Sequence, residues 1–297
     1  MNNGQADMTE IMSRFITLIG KKLPDDVTEK LEELAQEEKQ PLAREIYSLM
    51  ARNQQMAVQL NRPSCQDTGA LQFWVRCGAG FPLLGNIETV LRKAVADATR
   101  EAPLRHNVVE TFDEYNTKEN IGTGIPSIFW EIIPDNDDAE IDVYMAGGGC
   151  TLPGRAKVLM PSEGYEGAVD FILDVVTSYG LNACPPLLVG VGIANAVETA
   201  ALLSKKALFR GNGKRNMNSK AAALERELIK SIDKIGLGPQ GLGGTKSVMD
   251  VHIENTARHP SAIAVAVNVG CWSHRYGHII FDKELNFEIT THREAAL

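Results

Sequence analysis

Apolar residues recur at three- and four-residue spacing over the first sixty positions. Met8, Ile11, Met12, Phe15, Ile16 and Ile19 make one stripe, which predicts a helix that Pro24 ends. Asp25 or Asp26 is placed to cap a second helix, carrying Leu31, Leu34 and Ala35. A third follows Pro41 with Leu42, Ile46, Leu49, Met50 and Leu60, and Pro63 stops it. Residues 1–62 therefore read as a helical layer.

Beyond residue 62 the pattern changes. LQFWVR at 71–76 suits a short strand, and Asn86 opens a helix to about Glu101. Ile128–Ile133 and Glu140–Met145 read as two strands joined by the turn-forming run PDNDDA. Helices are expected over 166–181, 196–208 and 221–235. LLVGVGI at 187–193 and IAVAVNV at 263–269 read as buried strands, and 279–282 with 287–290 as a closing hairpin. The basic, polar run RGNGKRNMNSK at 210–220 reads as a loop insertion. The expectation is a mixed α/β (α+β) fold, a helical layer of residues 1–62 packed on an α/β core of residues 63–297, forming one continuous domain over 1–297.

Composition narrows the class. Hydrophobic residues make up 44% and charged residues 23%, the profile of a soluble globular chain. Lys plus Arg is 30 and Asp plus Glu is 38, so the net charge of −8 argues against a nucleic-acid partner, which needs a basic face. No run reaches the roughly 18 apolar residues of a membrane span. The N-terminus has no charged segment leading into an apolar one, so the expected compartment is the cytoplasm, where thiols stay reduced. The five cysteines, Cys65, Cys77, Cys150, Cys184 and Cys271, are widely spaced with no CxxC pair.

Three familiar motifs fail on context. GLGPQG at 236–241 fits GxGxxG, but a helix precedes it where a nucleotide fold needs a strand. GGTKS at 243–247 lacks the Gly-Lys-Ser/Thr ending of a phosphate loop. His252-Ile-Glu254 has no PCxxC partner for a zinc deaminase.

The candidate chemistry gathers around three cysteines. Cys65 lies in the polar loop NRPSCQDTG, Cys184 in NACPP, and Cys271 in GCWSH at the end of an apolar strand. Each sits at an element end beside Gly or Pro, as a metal site on a rigid scaffold would. Three thiolates do not fill the coordination of a four-iron cluster, which takes four, and a cluster so held keeps one iron open. Cys77 has no supporting motif and reads as a core residue. The glycines of AGGGC at 146–150 let backbone N–H groups approach an oxyanion. Arg105 and His106 of PLRHN, and more weakly Arg155 and Lys157, are candidate carboxylate partners. Asp67, two residues after Cys65, is placed either for proton transfer or for orienting a hydroxyl.

CQDTG (65–69), PLRHN (103–107), AGGGC (146–150), NACPP (182–186), GPQGLGG (238–244) and His259-Pro260 with GCW (270–272) together resemble the iron–sulfur hydro-lyases of the class I fumarase and tartrate dehydratase family, over nearly the whole chain. The resemblance implies a 4Fe-4S cluster on Cys65, Cys184 and Cys271 with one iron open to substrate. It implies reversible loss of water from a 2-hydroxy dicarboxylic acid. It implies that Gln66, Asp67, Arg105, Gly148 and Gly149 contact that substrate, with Asp67 as the catalytic candidate, and that His259 stands near its access path. Fumarase members usually carry serine after the three glycines. Cys150 here favours the tartrate branch, with oxaloacetate as product, over a fumarate/malate enzyme. A non-catalytic cluster protein is the remaining alternative, but it would need no arginine and glycine pocket. Single-chain members run to about twice this length, so the resemblance also implies the alpha half of a split enzyme: a separate beta subunit completing the site and supplying the base, and alpha chains that pair, as alpha2beta2.

Overall fold

The computed structural model describes residues 3–293, 295 and 297. It opens with three helices, α1 (Asn3–Lys21), α2 (Asp25–Glu37) and α3 (Pro41–Gln59). Then follow β1 (Ala70–Gly78), α4 (Ile87–Glu101), the small pair β2 (Val109–Glu110) and β3 (Tyr115–Asn116), β4 (Ser127–Ile133), β5 (Ala139–Ala146), the one-turn α5 (Gly148–Thr151) and β6 (Arg155–Leu159). The remainder is α6 (Gly164–Tyr179), β7 (Leu187–Ala194), α7 (Val197–Ala207), α8 (Ser219–Ile235), β8 (Val248–Asn255), β9 (Ile263–Gly270), β10 (Tyr276–Phe281) and β11 (Phe287–Ile289). The architecture is mixed helix and sheet, of the α+β kind.

The chain divides into two compact units. One comprises Met1–Asp25, Asn53–Gly147 and Arg275–Leu297; the other comprises Asp26–Arg52 and Gly148–His274. The three expected N-terminal helices are all present, but by their contacts α1 goes with the first unit while residues 26–52 go with the second. A division at residue 62 thus follows the change of hydrophobic period along the chain, and the compact units follow a different line.

The first unit is built on a five-stranded sheet ordered β11-β10-β5-β1-β4. β1 is parallel to β4 and antiparallel to β5. The strands flanking PDNDDA are therefore not a hairpin, because β1 lies between them. Period-two alternation gives β1 two faces. Leu71, Phe73, Val75 and Cys77 join a core with Met8, Met12, Phe15, Ile16 and Ile19 of α1 and Val90, Leu91, Ala94 and Val95 of α4. Each fully buried Phe or Ile there contributes about 1.5–3 kcal/mol. The opposite face carries Trp74 and Arg76, bonded to Glu131 and Glu140 on the neighbouring strands.

The second unit has a four-stranded sheet ordered β6-β9-β7-β8, with β7 and β8 parallel. Val189, Val191, Val265 and Val267 meet Ile172 and Val176 of α6 and Leu228 and Ile232 of α8 on one face. The alternate positions of β7 are Gly190 and Gly192. A methyl at either would collide with the Ser204 or Ala200 carbonyl, so glycine is what lets α7 lie directly on the other face.

The run Arg210–Lys220 joins α7 to α8 and is bound along its length. Arg210 pairs with Glu225 and Glu254, Arg215 with Asp250, and Asn212 with Asp26. Its two arginines serve carboxylates, of which Glu225 and Asp250 are buried, while Lys214 and Lys220 are exposed. GLGPQG forms no strand-to-helix turn. Gly236 ends α8 in a left-handed conformation, and Pro239–Gly241 is a short 3-10 turn.

Candidate functional site

In the first unit, the loop from α3 to β1 carries Cys65, Gln66 and Asp67. Gln66 is exposed, and Cys65 and Asp67 are half-buried. The Asp67 Oδ1 accepts the Gly69 N–H at 3.0 Å and an Asn107 Nδ2 hydrogen at 3.2 Å. Gly69 has φ +79, and a side chain there would strike the Ala146 backbone, so glycine lets the loop lie against the end of β5. The Asp67 carboxylate then faces the first glycine of the triplet: a methyl on Gly147 would stand 3.0 Å from Oδ2.

PLRHN is tied to the same loop. The Arg105 N–H donates to Thr68 Oγ1 at 3.0 Å, and Asn107 Nδ2 also donates to the Gly69 carbonyl at 3.2 Å. Asn120, fully buried, accepts the Asn107 N–H at 2.7 Å and donates to the Arg105 carbonyl at 2.8 Å. Gln66, Asp67 and Arg105 are thus on adjoining, mutually bonded loops, with the Arg105 side chain exposed. Thr68, Asn107 and Asn120 do the fixing. Sequence reading did not single them out. Asn120 has a left-handed φ of 57, a conformation that asparagine tolerates better than most residues.

The second unit carries the other two candidate ligands. Cys184 is exposed and holds φ 52, a conformation few non-glycine residues adopt. Cys271 follows β9 and is half-buried. The Trp272 N–H donates to the Cys184 carbonyl at 3.2 Å, which joins the two cysteine segments directly. Gly148 and Gly149 form the first half of the α5 turn. A methyl on Gly149 would collide with the Asn182 carbonyl, so this turn packs against NACPP. His259 lies in the loop before β9, and Cys271 follows the other end of that strand. His259 is exposed, and its Nδ1 accepts the Ser261 N–H at 3.1 Å.

All five cysteines are thiols. Cys77 is buried in the core, and burial pushes its thiol up to about 11, which keeps it protonated and unreactive. Cys150 is also buried, in the core of the second unit. Cys65, Cys184 and Cys271 are the three not buried, and soft sulfur donors at loop positions suit iron–sulfur ligation better than a hard cation. Among the described residues, no group of three or more His, Cys, Asp or Glu stands close enough to hold a single metal ion.

Residues 9–280 match the family described as fumarate hydratase (Fumerase). The chain belongs to that family. Its relatives include the L(+)-tartrate dehydratase subunit alpha of Escherichia coli (strain K12) and that of Shigella boydii serotype 4 (strain Sb227). Each is 56% identical over 290 residues, covering 98% of this chain and 96% of the relative. A relative from Methanocaldococcus jannaschii is 34% identical over 257 residues, 85% of this chain and 90% of its own. Among the described residues, no helix is long and apolar enough to cross a membrane.

Proposed function

We propose that the chain is the alpha subunit of an iron–sulfur hydro-lyase that reversibly dehydrates L(+)-tartrate to oxaloacetate. The observation that carries this reading is the 56% identity, over nearly full length, to chains named L(+)-tartrate dehydratase subunit alpha. The family match fits water loss from a hydroxy-diacid. Cys65, Cys184 and Cys271 hold a 4Fe-4S cluster, which supplies a Lewis acid for the departing hydroxyl when bound. A beta subunit completes the site, the assembly is alpha2beta2, and the location is cytoplasmic. The subunit name of the relatives supports a partner chain.

In this scheme the protein residues divide the work. Arg105 forks onto a substrate carboxylate, and Gln66 and the backbone N–H groups of Gly148 and Gly149 also contact the substrate. Asp67, held by Gly69 and Asn107 through Oδ1, orients the leaving hydroxyl or hands it a proton. His259 lies on the approach route. The hydrogen on the neighbouring carbon is taken by a base on the beta subunit. Water leaves and an enol remains, which becomes oxaloacetate.

The test is anaerobic co-purification with the beta subunit and assay of oxaloacetate from L(+)-tartrate beside turnover of malate. Faster turnover of tartrate is expected. No tartrate dehydration with beta present would overturn the assignment, and full activity of alpha alone would overturn the shared site.

A further inference from the structure

Arg275 is among the largest fully buried side chains of the protein, with 2% of its surface exposed. It opens the last segment of the first unit, four residues after Cys271. Its Nη2 donates to the main-chain carbonyl of Asp67 at 2.7 Å. Its Nε and Nη1 are buried with no hydrogen-bond partner. A guanidinium is costly to bury, and each unmade bond adds to the cost. What that burial secures is the bond to the Asp67 carbonyl.

That bond acts on the loop that carries Asp67. The Arg275 carbonyl accepts the Met145 N–H at 3.0 Å, so its own backbone is locked to the end of β5. The loop packs on the same strand end at Gly69, and the Asp67 carboxylate faces Gly147 just beyond it. Asn107 and Gly69 hold the Asp67 side chain, while Arg275 holds its main chain. Bonds on the carboxylate cannot fix its direction if the peptide plane beneath it rocks. We propose that Arg275 is a positioning residue, which fixes the Asp67 peptide so that Oδ2 keeps its aim. This rests on the reading of Asp67 as a working group of a hydro-lyase.

The test uses R275M and R275K in the complete alpha–beta enzyme, with amide exchange measured on the same alpha variants. R275M is expected to lower kcat by on the order of 100-fold, the usual penalty for a group displaced by about 1 Å, with KM changed less than about threefold. Iron content and Tm should stay near wild type, and R275K, which can still reach the carbonyl, should recover part of kcat. Amide exchange across 64–69 should quicken in R275M while β1 stays protected. Unchanged exchange with kcat near wild type would overturn the proposal. So would kcat falling only in step with iron content and Tm, which marks a merely structural residue. Should the wild-type enzyme fail on tartrate, the exchange measurement still decides what Arg275 holds, separately from the assigned activity.

Discussion

The backbone N–H of Trp272 donates to the carbonyl of Cys184 at 3.2 Å. One cysteine follows a 3-10 turn and the other a strand, 87 positions apart (271 − 184), yet their segments are bonded directly. Replacing Cys184 or Cys271 by Ser swaps a soft donor for a hard one without disturbing that backbone bond. Anaerobic visible absorption of each variant should fall to a small fraction of the wild-type value. Cys77→Ser, with its sulfur in the core of the first unit, should keep the full absorption. A Cys184 variant as brown as wild type would remove that cysteine from the ligand set.

Gly149→Ala tests the packing of the glycine turn. The added methyl has no room against the Asn182 carbonyl, which is backbone and cannot swing aside. Either the turn or the segment leading into Cys184 must move. Iron content and tartrate turnover should both drop at least tenfold, a larger effect than the helix preference for alanine would suggest. A Gly149→Ala enzyme of wild-type iron content and rate would show that the two segments do not depend on one another.

Glu38 is a completely buried carboxylate joining α2 and α3 to the segment before β8. It accepts the N–H groups of Lys39, Gln40, Thr245 and Lys246 and the Thr245 hydroxyl. Burial pushes its pKa up, but the bonds from Gln40, Thr245 and Lys246 outweigh that and hold it below the ordinary 4.5. Glu38→Gln keeps the shape but replaces one acceptor oxygen with an amide donor facing other donors. It should destabilise the protein by about 2–3 kcal/mol in denaturant unfolding. A loss under about 0.5 kcal/mol would mean that the segment is held by other contacts.

Most of the regular elements were legible, because their apolar periods are strong. α1, α4, β1 and β9 all fall within a few residues of where the pattern puts them. β8 was not legible. Asp250 and His252 interrupt its apolar run, and both are buried, Asp250 paired with Arg215 and the His252 Nε2 standing 3.2 Å from the Asp250 carboxylate. No local pattern distinguishes a satisfied buried carboxylate from an exposed one. The order β5-β1-β4 was hidden for a related reason: a short turn-forming run signals a reversal of direction but not which strand fills the gap. The motifs made Cys65, Asp67, Arg105 and Cys184 candidates from the sequence alone. Asn120 and Arg275, whose side chains bond the Arg105 and Asp67 carbonyls, carry no motif, so only coordinates reveal those bonds.

Two histidines set opposite slopes on stability against pH. His274 is fully buried in the second unit; desolvation lowers its pKa from 6.5 to about 4, against the bond from Nε2 to the Leu208 carbonyl. The unfolded chain therefore binds the extra proton first, and stability falls as pH drops from about 6.5 toward 4. One proton corresponds to about 1.4 kcal/mol per pH unit inside that window. His278, in the first unit, is shifted the other way. Burial alone would lower its pKa, but the Asp142 carboxylate at 2.8 Å from Nδ1, with Glu140 beyond, raises it above 6.5. Its contribution is complete below 6.5 and disappears as pH climbs through the raised folded value. Unfolding followed by probes in each unit should show acid loss in the second and alkaline loss in the first. His274→Gln should flatten the acid limb between pH 4 and 6.5, and His278→Gln the limb above 6.5. An acid limb as steep in His274→Gln as in wild type would assign that loss to other groups, with Glu38 the first to examine at lower pH.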